Sequence, residues 1–538
     1  MPLTLSPHPG LVVKPAIDLP NAAVLTPDSY TSWATMFEAN KRKTQYLLTP
    51  GDYTSWGDCV PTNVAGGTSL APKLIAYYHP DDDDQNPVDR VGGNEALCAD
   101  FHFTGVTTTN WMVHGITTRG GASNWLMDGG CSGITFDYCL IEDKAKTVTA
   151  YMIRIREATD CTIQRCVIRN FILNPKKLSS DSFGVAIGNI PQDVIGIRIL
   201  DCEIYNVGDC IQITDAKKTT PWKPVEVVIE GCDLYMTEAY HIFDGSTDTQ
   251  TTWLENGVDI KAGSSSTGKL RVSNNRIWGF RRNAKPTAKP TALGEGIVIQ
   301  RLARNIEVSN NIIGDCPRGM KDENWPISGT LGPKTVTFAS DHILTTTEEH
   351  HFLTGQGQMQ LTTTGALPTG LSTTVGYYII VLGTTTFSLA ATCADAKAGT
   401  PVVGFSDKGT GTHKIRIKVG QTRNITVTGN QFHDICDYAD SDAGSVWAPV
   451  TDIAYTNNYI ARSMYLCANS PTEYWGPVFT GNIRAEVDDI QRPEKQTPTL
   501  PYDPALNTID THTGLYDTYE RKRWTGIEVA YGAIRLDP

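Results

Sequence analysis

Five short segments in the middle of the chain carry charged and amide side chains between alternating apolar residues. They start at Ile153, Val185, Ile211, Val258 and Ile297. Successive side chains of a β-strand point to opposite faces, so the residues between the apolar positions are expected to share the outer face. The alignment predicts one outward column: Arg154, Gln212, Asp259 and Val298. It predicts a second: Arg156, Thr214, Lys261 and Gln300, with Asp215 and Arg301 at or just past the strand ends. A surface with these cationic columns can bind an anionic chain and stabilise negative charge that develops in a reaction.

Lys261 and Arg301 are the pair with the clearest chemical potential, because they are expected at nearly the same height on consecutive strands. A lysine held near other cations has its charged form disfavoured, so it can act as a base. Removing the proton next to a carboxylate needs positive charge, from arginine or Ca²⁺, to stabilise the enolate-like state. A solvated surface position explains either charge alone, whereas the two together favour a catalytic role.

The strands that position these residues belong to a repeat with Cys or Asn at one fixed slot. The slot residues are Cys139, Cys166, Cys202, Cys232, Asn275, Asn311, Asn430, Asn458 and Asn482. One such coil cannot bury its apolar face alone, so the coils must stack. Stacked Asn side chains can hydrogen-bond between coils, while Cys fills the slot as a small apolar group. The pattern predicts an all-β, right-handed parallel β-helix.

The repeat also divides the chain into regions. A short helix is expected from Trp33 to Arg42, and a Thr- and Gly-rich stretch interrupts the coils. The predicted regions are an N-terminal segment with a helical cap (1–55), the β-helix (56–333), an inserted small β domain (334–417), the final coils (418–484) and a C-terminal tail (485–538).

Composition limits the class of protein. A formal net charge of -12 argues against general nucleic-acid binding, although a local basic cleft can still bind an anionic substrate. The 13 cysteines show neither CxxC pairs nor zinc-like spacing, and free thiols are favoured over disulfides. No segment is apolar for long enough to span a bilayer, and the first residues lack a conventional secretion signal, so no membrane association is expected.

Residues 255–261, Asn275, residues 296–301 and Asn311 resemble the core of polysaccharide lyase family six, which includes alginate lyases and chondroitinase B. The resemblance covers about two coils. It implies a β-helix that cleaves an acidic polysaccharide by β-elimination, with Lys261 as the base, Arg301 one coil later and Ca²⁺ as a candidate cofactor. The implied metal ligands are Glu255, with Asp259, Asp244 or Asp215 as substitutes for a missing acidic residue. Ala262 replaces the family's Ser, and Leu302-Ala303 replaces its His-Gly.

The inserted stretch resembles a module of bacteriophage tail and other virion proteins. The similarity lies in residues 367–371, 376–378, 386–389 and 409–413. It implies a viral origin and an extracellular or virion-associated protein. Such proteins are often homotrimers, but no heptad run marks a coiled-coil stalk, so both a monomer and a homotrimer stay open.

Two other functions remain open. Glycoside hydrolysis needs two carboxylates flanking the bond, and Asp209, Asp215, Asp244 and Asp248 are candidates. A non-catalytic virion protein could bind surface glycan instead. The residues expected to contact sugar are Arg154, Arg156, Arg281, Arg282, Tyr240 and Trp253.

Overall fold

The computed structural model describes a set of chain segments that includes most of the repeating strands. The described residues are 15, 17–61, 64–79, 95–120, 125–142, 150–171, 182–188, 194–214, 225–237, 255–280, 295–300, 303–316, 318–323, 334–339, 342–350, 352, 354–355, 359–400, 404–405, 407–417, 423–435, 450–461, 474–475, 478–480, 483–485 and 508–510.

The helix predicted near the N-terminus is present as α1 (Trp33–Ala39). Ser32 caps its first turn by accepting a hydrogen bond from the Thr35 amide, and Trp33, Met36 and Phe37 are buried. The helix ends before the predicted Arg42, because Asn40 leaves the helical conformation. Three short 3₁₀ helices occupy Leu19–Asn21, Pro27–Ser29 and Thr54–Trp56. None of the described helices is long and apolar enough to cross a membrane.

Short strands follow one another along the first three-fifths of the chain. In the N-terminal part they are β1 (Ala22–Leu25), β2 (Gln45–Leu48), β3 (Gly51–Asp52), β4 (Lys73–Tyr77), β5 (Ala96–Leu97), β6 (His102–Thr104), β7 (Thr109–His114), β8 (Thr117–Arg119), β9 (Trp125–Asp128), β10 (Ser132–Asp137), β11 (Leu140–Glu142), β12 (Ala150–Ile155), β13 (Thr162–Gln164) and β14 (Val167–Phe171). The next are β15 (Ser182–Gly188), β16 (Val194–Leu200), β17 (Glu203–Val207), β18 (Asp209–Thr214), β19 (Val225–Glu230), β20 (Asp233–Tyr235), β21 (Asn256–Ile260), β22 (Leu270–Ser273), β23 (Arg276–Trp278), β24 (Glu295–Gln300), β25 (Arg304–Ser309), β26 (Ile312–Cys316) and β27 (Arg318–Glu323).

A six-stranded antiparallel barrel follows, with its own apolar core around Phe338, Leu361 and Phe387. Its elements are β28 (Lys334–Phe338), β29 (Leu344–Thr346), β30 (Met359–Thr363), β31 (Gly376–Val381), β32 (Thr386–Ala390), α2 (Cys393–Lys397) and β33 (His413–Ile417). The remaining strands are β34 (Arg423–Thr428), β35 (Gln431–Ile435), β36 (Val450–Thr456), β37 (Tyr459–Ala461), β38 (Tyr474–Trp475), β39 (Val478–Thr480), β40 (Ile483–Ala485) and β41 (Thr508–Asp510).

The strands outside the barrel form three long parallel sheets. Sheet 1 has 14 strands from β1 to β39, sheet 2 has 13 from β3 to β41, and sheet 3 has eight from β6 to β27. The chain visits sheets 3, 1 and 2 in turn, so β9, β10 and β11 form one coil, and β12, β13 and β14 form the next. Apolar side chains of all three sheets share one continuous core. This arrangement confirms the predicted all-β, parallel β-helix fold.

The barrel lies between two neighbouring coils in the sequence, because β25 pairs directly with β34 across it. The same continuity holds in sheet 2, where β26 pairs with β35. The coil register is therefore kept through the insertion.

The Cys/Asn slot lies at the corner between sheets 1 and 2. The eleven cysteines within the described segments are buried and form no disulfide, as predicted. The thiol of Cys232 reaches the Ile199 carbonyl, and the Asn275 amide donates to the Ile229 carbonyl at the equivalent place one coil later. Cys is therefore more than an apolar filler here, because it donates to the same backbone acceptor as Asn.

Each described Cys or Asn slot follows a residue in the left-handed backbone conformation. This corner residue is Tyr138, Arg165, Asp201, Gly231, Asn274, Asn310, Gly429 or Asn457, with φ between 51° and 71°. Most residue types avoid that region, while Gly and Asn enter it at low cost. The corner thus turns the chain from sheet 1 to sheet 2 within one residue.

Candidate functional site on the outer face of sheet 3

The outer face of sheet 3 carries the residues in which the sequence suggested chemistry. Ile153, Val185, Ile211, Val258 and Ile297 are aligned through consecutive strand pairs. The same pairs align the first predicted column, with Ala186 between Arg154 and Gln212. The second column runs past the strand ends, where Gly188 pairs with Thr214. The structure therefore has the predicted columns, with the two smallest side chains on β15.

A network of hydrogen bonds joins β18, β21 and β24; we call Asp209, Gln212, Asp259, Lys261 and Gln300 the carboxylate network. The Gln212 side-chain nitrogen donates to Asp209 Oδ2 at 2.9 Å and to Asp259 Oδ2 at 3.3 Å. The Gln300 amide donates to the other oxygen of Asp259 at 2.8 Å. Asp209, Gln212 and Asp259 are almost fully buried. Two amide groups thus fix the position of the Asp259 carboxylate.

Lys261 is the cation of this network. Its Nζ lies 2.5 Å from Asp259 Oδ2, and its side chain is 15% exposed. Residues two apart share one face of a strand, so β21 brings the two side chains together. The sequence predicts that Lys261 lies near other cations. The described contact is instead with a carboxylate, which stabilises the ammonium form.

Asp209 is held at the first outward position of β18. Its Oδ1 accepts from the backbone and the side-chain amide of Asn256, both at 2.9 Å. Burial, followed by the charges of Glu255 and Asp259, raises the pKa of Asp209 well above its usual value, although Lys261 and Asn256 act in the opposite direction. The Oδ1 atom of Asn256 is buried without a hydrogen-bond partner. The site thus contains a carboxyl group that favours its protonated form.

We call Tyr151, Arg154 and Arg156 the cationic end. These residues lie on or just after β12, three strands from β21 in sheet 3. Arg156 forms an ion pair with Asp128 on β9. The Arg154 guanidinium lies over the Tyr151 ring at 4.8 Å from its centroid, and Tyr151 stacks on Phe183 of β15 at 5.3 Å. Burial, and then the neighbouring Arg156, lower the pKa of Arg154.

The structure describes only part of the predicted site. Lys261 and Asp259 are in contact, Glu255 precedes β21, and Arg154 and Arg156 lie at the cationic end. The remaining candidates lie outside the described residues: Arg301, Arg281, Arg282, Tyr240, Trp253, Asp244, Asp248 and Asp215. The pairing predicted between Lys261 and Arg301 therefore stays a prediction.

Sequence reasoning missed a third outward column at the strand starts. Tyr151 pairs with Phe183, Phe183 with Asp209, and Asn256 with Glu295. Strict alternation does not find this column, because two consecutive residues between it and the first column are both buried in the core: Met152 and Ile153 on β12, and Cys210 and Ile211 on β18. Asp209 was considered only as a hydrolase candidate, whereas the structure places it in one network with Lys261.

The Ca²⁺ ligands implied by the sequence resemblance can be tested on Glu255 and Asp259. Both oxygens of Asp259 are already engaged by Lys261 and the two glutamine amides. No group of three or more His, Cys, Asp or Glu within the described segments could hold a metal ion. Glu255 and Asp259 therefore do not form a calcium site by themselves. The other implied ligands, Asp244 and Asp215, lie outside the described residues, so the calcium site stays a prediction, and the proposed chemistry uses no metal.

Comparison with known proteins adds similarities of fold. No family model matches the sequence, and a search of curated proteins finds no match. A mannuronic acid specific polysaccharide family 6 lyase from human gut microbiota is 9% identical, with 96% of this chain and 95% of that chain covered and a TM-score of 0.42. The A-module of the mannuronan C-5 epimerase AlgE6 of Azotobacter vinelandii is 11% identical, covering 82% and 91%, with a TM-score of 0.37. The tailspike protein of E. coli bacteriophage HK620 is 10% identical, covering 86% and 57%, with a TM-score of 0.28. At these values, function must be argued from the residues themselves.

Proposed function

We propose that this protein is a polysaccharide lyase that cleaves an acidic, uronic-acid-containing polysaccharide by β-elimination on the outer face of sheet 3. The observation that carries the proposal is the position of Lys261. Its Nζ contacts the carboxylate of Asp259 on the outer face of sheet 3, and that carboxylate is held in place by the amides of Gln212 and Gln300. Catalysis by a single positioned side chain requires such a fixed geometry.

In this reaction a base removes the proton next to the uronate carboxylate. The bond from the neighbouring carbon to the glycosidic oxygen then breaks, a carbon–carbon double bond forms, and the leaving oxygen takes up a proton. Lys261 is the proposed base, and Arg301 the proposed partner that stabilises the carboxylate. The contact with Asp259 favours the ammonium form of Lys261. Because a base must be neutral, we expect activity to rise with pH.

The test uses Lys261→Ala with alginate, pectate, glycosaminoglycans and bacterial capsules as substrates. We expect the wild type to release unsaturated products, seen by ultraviolet absorbance, and the variant to lose about 10²–10⁴-fold in rate. Lys269→Ala is the matched control, because Lys269 also pairs with a carboxylate, Glu226, but is 56% exposed and lies by sheet 1. Full activity of Lys261→Ala, or an equal loss in the control, would contradict the assignment.

One observation favours glycoside hydrolysis as the second candidate. Asp209 Oδ2 and Asp259 Oδ2 accept from the same nitrogen at 2.9 and 3.3 Å, so these oxygens lie within about 6.2 Å of each other. Retaining glycosidases place their carboxyl groups roughly 5–5.5 Å apart. New reducing ends without unsaturated products would favour this candidate. Binding without any product would favour a glycan-binding virion protein.

The setting proposed for the protein is outside cells, as a phage-type depolymerase. The support is the module-like sequence of the barrel region, together with a solenoid long enough to contact an extended polymer. Its expected partner is an acidic polysaccharide rather than nucleic acid or membrane, with the chain as a monomer or homotrimer. Light scattering measures the oligomer. A gene located among bacterial glycan-utilisation genes, with no viral neighbours, would contradict the phage setting.

A further inference from the structure

Several described arginines on or beside the parallel sheets form ion pairs with carboxylates, and Arg154 does not. Arg156 pairs with Asp128, Arg165 with Asp137, and Arg169 with Glu142. Within the described part of the chain, Arg154 forms no ion pair: its guanidinium contacts the Tyr151 ring, and the nearby carboxylate of Asp128 is already paired with Arg156. A half-buried guanidinium without a counter-ion is costly, and an anionic ligand would offset that cost.

The surroundings of Arg154 suit a charged sugar. Tyr151 presents an aromatic ring beside the guanidinium, and Phe183 stacks on that ring from the next strand. On β15 the outward positions facing Arg154 and Arg156 are Ala186 and Gly188, so no large side chain stands there. An added Cβ on Gly188 would approach the Thr214 carbonyl oxygen to 2.7 Å, and its φ of 98° also favours glycine. A guanidinium can bind a carboxylate or sulfate while an aromatic ring packs against the sugar.

Arg154 and Lys261 are separated along the solenoid axis, so a ligand that contacts both must run along that axis. β12, β15, β18 and β21 are consecutive strands of sheet 3. Three strand spacings of roughly 4.8 Å place Arg154 about 14 Å from Asp259 along the solenoid axis. One sugar unit of an extended chain is comparable in length to one strand spacing, so consecutive sugars can lie over consecutive strands.

We propose that Arg154 and Tyr151 form a distal subsite for an anionic sugar, three units from the sugar at Lys261, on a polyanionic chain that runs along the solenoid axis. The proposal rests on the proposed function and makes it more specific. The substrate must carry charge on sugars that lie three units apart, and only oligomers long enough to reach both positions bind with full affinity.

The experiment measures dissociation constants by calorimetry for oligomannuronates and oligogalacturonates, from disaccharide to octasaccharide, at low and high salt. For the wild type we expect affinity to rise steeply once the oligomer spans four sugars. Arg154→Ala should remove that rise, a loss of about tenfold or more, and leave disaccharide binding unchanged. Arg154→Lys should restore part of it. Arg198→Ala, at an exposed position of β16, is the control and should change nothing.

Two results would overturn the subsite. One is a length dependence that Arg154→Ala leaves intact or weakens equally for short and long oligomers. The other is failure of every oligomer to bind the wild type. The lyase proposal is judged separately, by unsaturated product. Loss of the length-dependent rise in Arg154→Ala without any product would support the subsite and reject the lyase. Unsaturated product together with a length dependence that Arg154→Ala leaves unchanged would support the lyase and reject the subsite.

Discussion

Two buried polar arrays run along this solenoid, and they are built on opposite principles. The first, which we call the asparagine ladder, consists of Asn275, Asn311, Asn430 and Asn458 at the corner of sheets 1 and 2. Asn311 Oδ1 accepts from the backbone and the side chain of Asn275. Its side-chain nitrogen donates to the Val272 carbonyl and to Asn430 Oδ1, both at 2.9 Å. The ladder is neutral, repetitive and fully hydrogen-bonded.

The second array, the carboxylate network on sheet 3, is charged and irregular. It combines two aspartates with one lysine, and the neighbouring Asn256 leaves its buried Oδ1 without a partner. Buried polar groups stabilise a fold when every one of them is satisfied. The comparison indicates that the ladder holds the coils in register, while the network carries an electrostatic cost that the stacking of coils does not require, as expected of the proposed site.

The largest effect is expected from breaking the ladder at its centre. Asn311→Ala removes all four side-chain hydrogen bonds and leaves buried partners of Asn275 and Asn430 unsatisfied. We expect a loss of about 3–5 kcal/mol in the free energy of unfolding, because each orphaned buried group costs roughly 1–3 kcal/mol. Denaturant unfolding and hydrogen exchange of β22 and β25 measure it.

Asn311→Cys is the matched variant that the chain itself offers. The Cys232 thiol reaches the carbonyl equivalent to that of Val272, so a thiol in place of the Asn311 amide should keep one donor to the backbone. We expect this variant to lose about half as much stability as Asn311→Ala. Equal losses in the two variants would show that the Cys slots upstream depend on small size alone.

The ladder and the strand columns could be predicted because their chemistry repeats. Cys202 and Asn275 stand at one slot of a recurring block, and Ile211 and Val258 alternate with polar residues at a fixed period. The left-handed corners were harder to predict, since Tyr138 and Arg165 adopt that conformation without being Gly or Asn. The surrounding coils impose it there.

The chemistry of the site could be predicted only in part. Lys261 and Asp259 share a strand face, so their proximity was readable from the alternation. The role of Asp209 was not, because its contacts with Asn256 join two different coils across 47 residues of sequence, and its contact with Gln212 links two residues three apart on one strand, which does not follow the alternation. Contacts between unique residues leave no periodic signal, unlike contacts between repeated ones.

A smaller effect is expected from Asp209→Asn, which measures the electrostatic cost of the carboxylate network. The pKa of Asp209 is raised in the folded state. Below about pH 4 the carboxyl is protonated in both states; as the pH rises, the unfolded chain releases its proton first, so the wild type loses stability. Asparagine cannot titrate. We therefore expect the variant to gain on the order of 1–2 kcal/mol relative to wild type between pH 4 and pH 7.

Asp407→Asn, in the barrel, provides the control of opposite sign. Hydrogen bonds from Thr369 and Gly409 lower the pKa of Asp407. The stabilisation from ionised Asp407 is present above the unfolded pKa and is lost as the pH falls. Asp407→Asn should therefore be less stable than wild type at neutral pH, and this difference should disappear in acid. Unfolding midpoints over a pH series measure both. Parallel curves for wild type and Asp209→Asn would show that Asp209 is ionised in the folded protein.

An effect of similar size to that of Asp209→Asn is expected at the corner residue that precedes each ladder position. Gly429 has a φ of 66°, and the equivalent residues Asn274, Asn310 and Asn457 have φ values of 55–58°. We expect Gly429→Ala to cost about 1–2 kcal/mol, because alanine has no local hydrogen bond to offset the left-handed conformation. Gly429→Asn should stay within about 0.5 kcal/mol of wild type, since asparagine adopts this conformation readily. Both variants bring a Cβ against the Asn310 side chain, whose amide end can turn away, so their difference isolates the backbone cost. Equal unfolding free energies for the two variants would mean that side-chain crowding, and not backbone conformation, restricts the corners of the ladder.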